Sequence, residues 1–329
     1  MTREALGLHR RVAMLAGASL LAAPRVARAQ APWPAQPVRY INTFPPGGST
    51  DTLSRMFCAR MAEITGQQFI VENRAGSGGV VGAEVIARAV PDGYTLGLGG
   101  IATHAIAPTL YARLPFNPVT DFTSISGIWQ LPNLLGIHPS LEATTVAELI
   151  ALLRANPGRY SYGSAGSGTT LHLSGEMFKQ LASVDMLHVP YRGAAPAYPD
   201  LIAGRIHMMF DNIPGMLALF RANQVRAIAV TSAVRSPVVP DIPAIADTLP
   251  GFDITSWTSL SGPAGIAAPI VARISAFARQ ALESEALKRA YLEHAAVAWW
   301  TTPADLAAHR AREEARLAPL IRASGARVE

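Results

Sequence analysis

The chain has 329 residues, half of them hydrophobic, with 28 Lys and Arg against 23 Asp and Glu and one cysteine. That length and composition support a large buried core, most simply in two domains, and a lone cysteine excludes an internal disulfide. The net charge of +5 sits mostly in the first 29 residues: setting aside their five arginines and one glutamate leaves 23 basic and 22 acidic residues, a balance of +1 that argues against nucleic acid or an anionic membrane surface as partner.

Those first residues read as a signal peptide, 1–29. Arg3, Arg10 and Arg11 precede an apolar run from Val12 to Ala23, and Ala27-Arg28-Ala29 forms a cleavage site. The run is too short for a retained membrane span, and no later segment is long enough. The Arg10-Arg11 pair raises the twin-arginine route, but Val12-Ala13-Met14 fits that consensus poorly, so the general secretory route is expected.

The next segment, PVRYINTFPPGGSTD (Pro37–Asp51), predicts a strand, a tight turn and a helix. Val38, Tyr40 and Ile41 favour β structure, Pro45 and Pro46 end it, and Gly47 and Gly48 allow the turn. Ser49, Thr50 or Asp51 can cap a helix whose Leu53, Met56, Phe57, Met61 and Ile64 share one face. Cys58 on that helix reads as a small core residue.

FIVEN (Phe69–Asn73) then predicts a strand, VVGAEVIARAV a helix after the turn RAGSGG, and YTLGLGG a strand after Pro91-Asp92-Gly93. Further on, Asp185–Pro190, RIHMMFD and VRAIAVT read as strands, with helices at AYPDLIAG and around Met216–Arg221. This rhythm predicts an α/β fold with largely parallel sheets. Two apolar, Pro/Gly-punctuated stretches, Ile125–Pro139 and Gly251–Gly265, read as crossings between domains. One lobe would then combine 32–127 with 255–329, and 128–254 would form the inserted second lobe. The tail from Pro269 to Ser324 reads as mostly helical.

Three donor-rich turns open helices: Pro45–Asp51, Tyr162–His172 and Tyr191–Ala197. Such turns gather beyond the carboxyl ends of strands, where ligands of open α/β sheets sit, and a helix N-terminus favours an anion. Gly166, Ser167, Gly168, Thr169 and Thr170 offer N–H groups and hydroxyls without fixed charge, which suits a carboxylate that must be released. Asp211 ends a strand and either meets a ligand or caps the next helix. Thr103 and His104 follow the strand YTLGLGG and either line the cleft or pack in the core. Arg192 either pairs with a ligand carboxylate or faces solvent.

Signals for an enzyme, a cofactor or a metal are missing. There is no G-x-S-x-G, H-E-x-x-H or G-x-x-x-x-G-K-[ST], and the eight histidines lack metal spacing. Gly76, Gly78 and Gly82 are one residue too widely spaced for a dinucleotide fingerprint and read as turn and packing glycines. The alternative of an exported serine hydrolase would need Ser49 or Ser167 beside His104 or His172.

The segments PVRYINTFPPGGSTD, VENRAGSGGVVGAEVIARAVPDGYTL, YGSAGSGTTLHLSGEMF, VPYRGAAPAYPDLIAGRIHMMFDNIP and SWTSLSGPAG are collinear with a known pattern. In them the chain resembles the substrate-binding proteins of tripartite tricarboxylate transporters, the Bug family. The resemblance implies a two-lobed, periplasmic-binding-protein-like (type II, Venus-flytrap) α/β fold that closes on a small carboxylate in the periplasm. It implies that Phe44, Gly47, Gly48, Ser49 and Asp51 on one loop, and Tyr191, Arg192, Gly193 and Ala195 on another, hold one ligand carboxylate, partly through ordered water. Gly166–Thr170 would add donors, and Asp211 would help choose the distal group. It further implies delivery to membrane permease subunits, or a sensing partner instead, with no cofactor; a monomer is the default. Departures at Ala107-Pro108, IPAIADTLPGF and Arg192 bear on substrate identity.

Overall fold

In the computed structural model residues 33–323 and 326–328 are described, so the expected signal peptide, 1–29, lies outside them. β1 (Val38–Asn42) buries Val38, Tyr40 and Ile41, as the apolar run requires. The prolines and glycines that follow release the chain into α1 (Ser49–Thr65), which buries Leu53, Phe57, Cys58 and Met61 on one face and ends at Gly66 in the left-handed region. β2 (Phe69–Asn73), α2 (Val80–Ala87) and β3 (Thr95–Gly100) complete a parallel set in the order β2-β1-β3.

After β3 the chain makes a π-helical turn, Ala102–Ile106, then short α3 (Ala107–Leu110). β4 (Phe122–Ile137) is a 16-residue strand that serves both halves of the sheet. Its Phe122–Pro132 portion pairs antiparallel with the later strand β9 (Thr255–Pro263), which in turn pairs with β3. From Asn133 to Ile137 it pairs antiparallel with β7 (Met208–Asn212), and over much of that stretch with β8 (Arg226–Val230).

The second half repeats the parallel logic: β5 (Ser161–Ser164) lies between β6 (Leu187–Pro190) and β7. It carries α4 (Val146–Ala155), α5 (Thr170–Ala182), α6 (Tyr198–Ile202) and α7 (Ile213–Arg221). The expectation of largely parallel sheets therefore holds in the wings. It fails in the middle, because β4 and β9 carry the chain between the halves in opposite directions.

After β9 the chain forms α8 (Ala268–Glu283) and α9 (Glu285–Glu293), which both pack on α1. Here Trp129 meets Tyr291 edge-on at 5.8 Å, and Tyr40 meets Phe57 at 6.3 Å. A two-residue strand, β10 (Val297–Ala298), pairs with Gln130 and Trp129, and α10 (Pro303–Ala323) follows. α10 sets Leu306, Leu317 and Ile321 into a core that takes Ile101 and Ala105 from one half and Leu135, Phe178 and Phe210 from the other. Removing any one of the large fully buried aromatics here would cost about 3–5 kcal/mol.

Candidate functional site

The first wall of the site is the turn after β1. Gly47 has φ +85°, a conformation that favours glycine, and Gly48 starts α1 with no side-chain cap. The first-turn N–H groups of α1 thus face outward with the positive end of the helix. Asp51 turns inward: Oδ2 accepts from Gly47 N at 3.0 Å and Arg55 Nε at 3.1 Å, and Oδ1 accepts from Asn73 Nδ2 at 2.9 Å. Asn73 and Asn42 both donate to the Phe44 carbonyl. Burial alone would raise the Asp51 carboxyl, but Arg55, Gly47 and Asn73 together hold it below its ordinary value. Asp51 therefore braces the turn, and it does not line the cavity.

The second wall is the turn before α5. Gly166 and Gly168 have positive φ, +120° and +84°. Their N–H groups point back into the protein, to Ser164 Oγ at 3.2 Å and His172 Nδ1 at 3.3 Å. Thr169 caps α5, donating to Gly166 O and accepting from His172 N. Ser167 presents its carbonyl to Gly78, where a Cβ would overlap it. Of the five residues of this turn, Thr169 and Thr170 reach the cavity, joined by Leu171, while Gly166, Ser167 and Gly168 do not.

The third turn supplies mainly contact. Gly193 lies so close to the Pro45 ring that any Cβ there would overlap it. Tyr191 donates to Asp200 at 2.6 Å, Arg192 is exposed, and Ala195 begins a 3-10 turn away from the cavity, which Ala194 lines. Across the same seam Gly215 N donates to Ser49 Oγ at 3.2 Å, tying α7 to α1. Beside it Asp211, 1% exposed, accepts from Tyr198 Oη at 2.6 Å and from Asn212 N at 2.7 Å. Burial pushes its carboxyl up to about 7, against the two hydrogen bonds.

Thr103 lines the cavity, and His104 next to it does not. The imidazole Nδ1 lies 2.8 Å from Thr103 Oγ1, and the ring packs edge-on against Phe122 at 4.6 Å. Burial, with Arg310 nearby, lowers its pKa to about 3, so it is a neutral core histidine. Neither Ser49 nor Ser167 hydrogen-bonds a histidine, so the nucleophile–base pair that a serine hydrolase requires is not formed.

These walls enclose a cavity of about 60 Å³ that opens toward solvent. Part of it comes from residues with no local sequence signal. Thr43 is fully buried with an unpartnered Oγ1, and Trp257 and Thr258 come from β9, far along the chain. Among the described residues on the lining, Asp211 is the one ionisable side chain, and no Lys, Arg or His joins it. An anion here meets helix termini, N–H groups and hydroxyls, with the Asp211 carboxyl beside the Gly215–Ser49 contact. No group of three His, Cys, Asp or Glu suited to a metal occurs among the described residues.

The model of the tripartite tricarboxylate transporter family receptor matches residues 53–326. BugT of Bordetella pertussis is 31% identical over 299 residues, 90% of this chain and 92% of that protein. Among solved structures, an R. palustris protein with adipate is 36% identical with a TM-score of 0.87, covering 90% of this chain and all of the other. MatC from Rhodopseudomonas palustris with bound malate is 31% identical with a TM-score of 0.82, covering 88% and 100%.

Proposed function

The chain belongs to the tripartite tricarboxylate transporter receptor family, whose members are periplasmic solute-binding receptors with a two-lobed fold, and on that premise we propose that it captures a short carboxylic acid between two lobes and delivers it to a membrane permease. In this reading the protein is a non-catalytic, monomeric periplasmic receptor that holds no cofactor. One lobe would comprise 32–127 with 255–329, and the other 128–254; within β4 the pairing passes from β9 to β7 between Pro132 and Asn133.

The observation that carries the proposal is the convergence of two helix N-termini, those of α1 and α5, on one cavity without a lining cation. A carboxylate would sit against Thr43, Ser49, Thr50 and Thr170, held by neutral donors and by the two dipoles. Its far end would approach Asp211. An unpaired carboxylate there favours a ligand whose distal group donates a hydrogen bond: a hydroxyl, an ammonium or a protonated carboxyl. Malate and adipate, bound by the relatives, both meet this description when the distal group carries its hydrogen.

Titration calorimetry of residues 30–329 with malate, adipate, succinate and aspartate tests the reading. One-site binding by at least one acid is expected, weakened about tenfold or more in Thr43→Val with Thr170→Val. Loss of a hydrogen bond to a charged ligand costs about 1.5–3 kcal/mol. No binding by any acid to a folded, ligand-free protein would overturn it.

A further inference from the structure

Behind the Gly166–Thr170 turn stand two histidines that do not line the cavity. His172, on the first turns of α5, is 4% exposed, and His188, on β6, is half-buried. Their rings stack at 4.2 Å and 25°, and Tyr162 stacks on His188 at 4.9 Å. We propose that His172 and His188, as neutral imidazoles of opposite tautomer, are positioning residues that hold this turn so that the first turn of α5 faces the ligand. The proposal rests on the carboxylate-binding reading for the ligand's location, and on the hydrogen bonds alone for the tautomers.

The tautomers follow from donors and acceptors. Gly168 N–H donates to His172 Nδ1, so that nitrogen carries no proton and the ring hydrogen sits on Nε2. Gly166 N–H donates to Ser164 Oγ, which leaves the Ser164 hydroxyl proton free for His188 Nε2 at 2.7 Å. In the arrangement proposed here Ser164 spends that proton on His188 Nε2, which accepts, and the His188 hydrogen sits on Nδ1. Each histidine thus takes one of the two glycine amides, His172 directly and His188 through Ser164. The amides left over for a ligand are those of Thr170 and Leu171, whose residues line the cavity.

Charges around the pair come from α5 and β5. Glu176 accepts from Tyr162 Oη at 2.6 Å and from Lys179 at 3.2 Å, and β6 contributes His188 itself. Burial, mainly, lowers His172 to about 4 and His188 to about 3. Glu176 opposes this at His172, and Lys179 adds to it at both. A protonated His172 would present a hydrogen where the Gly168 amide hydrogen already points, and a protonated His188 would turn the Ser164 hydroxyl from donor to acceptor on that side. The anion site is backed by neutral acceptors instead of by a second positive charge.

Long-range proton–nitrogen NMR of the ¹⁵N-histidine-labelled mature protein at pH 7 tests this. Two neutral buried rings are expected, one protonated at Nε2 and one at Nδ1, assigned by single substitution. Two rings of the same tautomer, or a cationic one, would overturn the proposal. His172→Asn and His188→Gln place an oxygen at the accepting position, and adipate affinity is expected within about threefold of wild type. His172→Phe and His188→Phe keep a stacked ring without an acceptor, and affinity is expected to fall tenfold or more while the melting temperature tracks the conservative variants. Equal affinity in all four would overturn the positioning role. Amide exchange at Gly166 and Gly168 is expected to quicken in the Phe variants whatever acid binds. Unchanged exchange would refute the proposal even if adipate proved not to be the ligand, an outcome that bears on the binding reading alone.

Discussion

Two buried carboxylates flank the cavity, and they stand in opposite chemical states. Asp51, behind the first wall, is surrounded by Arg55, Asn73 and the Gly47 amide, which keep it ionised below its usual range. Asp211, on β7 beside the third turn, has a phenol and one backbone amide and no cation among the described residues, and burial raises it to about 7. The first has its lone pairs committed and acts as scaffold. The second retains hydrogen-bonding capacity toward the cavity, and among the described residues no cation pairs with it. Burial by itself therefore does not tell a ligand-facing acid from a structural one; the partners do.

The largest test of this contrast is pH. Asp211 is raised in the folded state, so the folded protein holds the extra proton between about pH 4 and 7. Its contribution to stability is therefore fully present below the unfolded value near 4 and is lost as pH rises through about 7. Asp211→Asn removes that slope and is expected to stabilise the protein at pH 8 by up to about 4 kcal/mol, at about 1.4 kcal/mol per unit. Urea midpoints at pH 5 and 8 check it, and an unchanged slope would refute it.

Asp51 has the opposite sign. Its stabilisation is present above the ordinary carboxylate range and is lost as pH falls through its lowered folded value. Asp51→Ala leaves Gly47, Arg55 and Asn73 without their acceptor and should cost about 3 kcal/mol at pH 7, with the denaturant slope unchanged. A smaller effect concerns the seam: Gly193→Val would overlap Pro45 and is expected to weaken ligand binding tenfold, about 1.4 kcal/mol, with little change in the ligand-free melting temperature. The smallest is Arg55→Met. Arg55 is half exposed, so its pair with Asp51 should contribute at most about 1 kcal/mol, read from the urea midpoint.

The strand–turn–helix at Pro37–Asp51 was legible because it is local: apolar alternation, two prolines, two glycines and a helical face lie within thirty residues. The same locality misleads at Gly166–Gly168. A glycine-rich turn reads as a set of free donors, yet two of its amides go to side chains two and four residues away, which only the folded turn brings round. For His104 the sequence leaves cleft lining and core packing open, and the π-helical turn sets it in the core against Phe122. Thr43 is passed over between β1 and the turn it precedes; Trp257 and Thr258 do not stand out as site residues, because β9 reaches the cavity only after the second half has been built and the chain has returned. The antiparallel middle of the sheet was hidden for the same reason: a strand shared by two halves looks, in sequence, like a long apolar linker.

Cys58 lies in the heart of α1's packing, 2% exposed, with burial pushing its thiol well up and no second cysteine to join it. A thiol of that kind is inert toward alkylating reagents while the surrounding helices are closed, and becomes reactive when they part. The molecule thereby contains its own stopwatch for opening. Under conditions where closing outpaces labelling, an acid that binds only the closed form slows the reaction by one plus its concentration over its dissociation constant. A single mass-spectrometric time course per candidate acid would rank affinities without dye, tag or assigned spectrum.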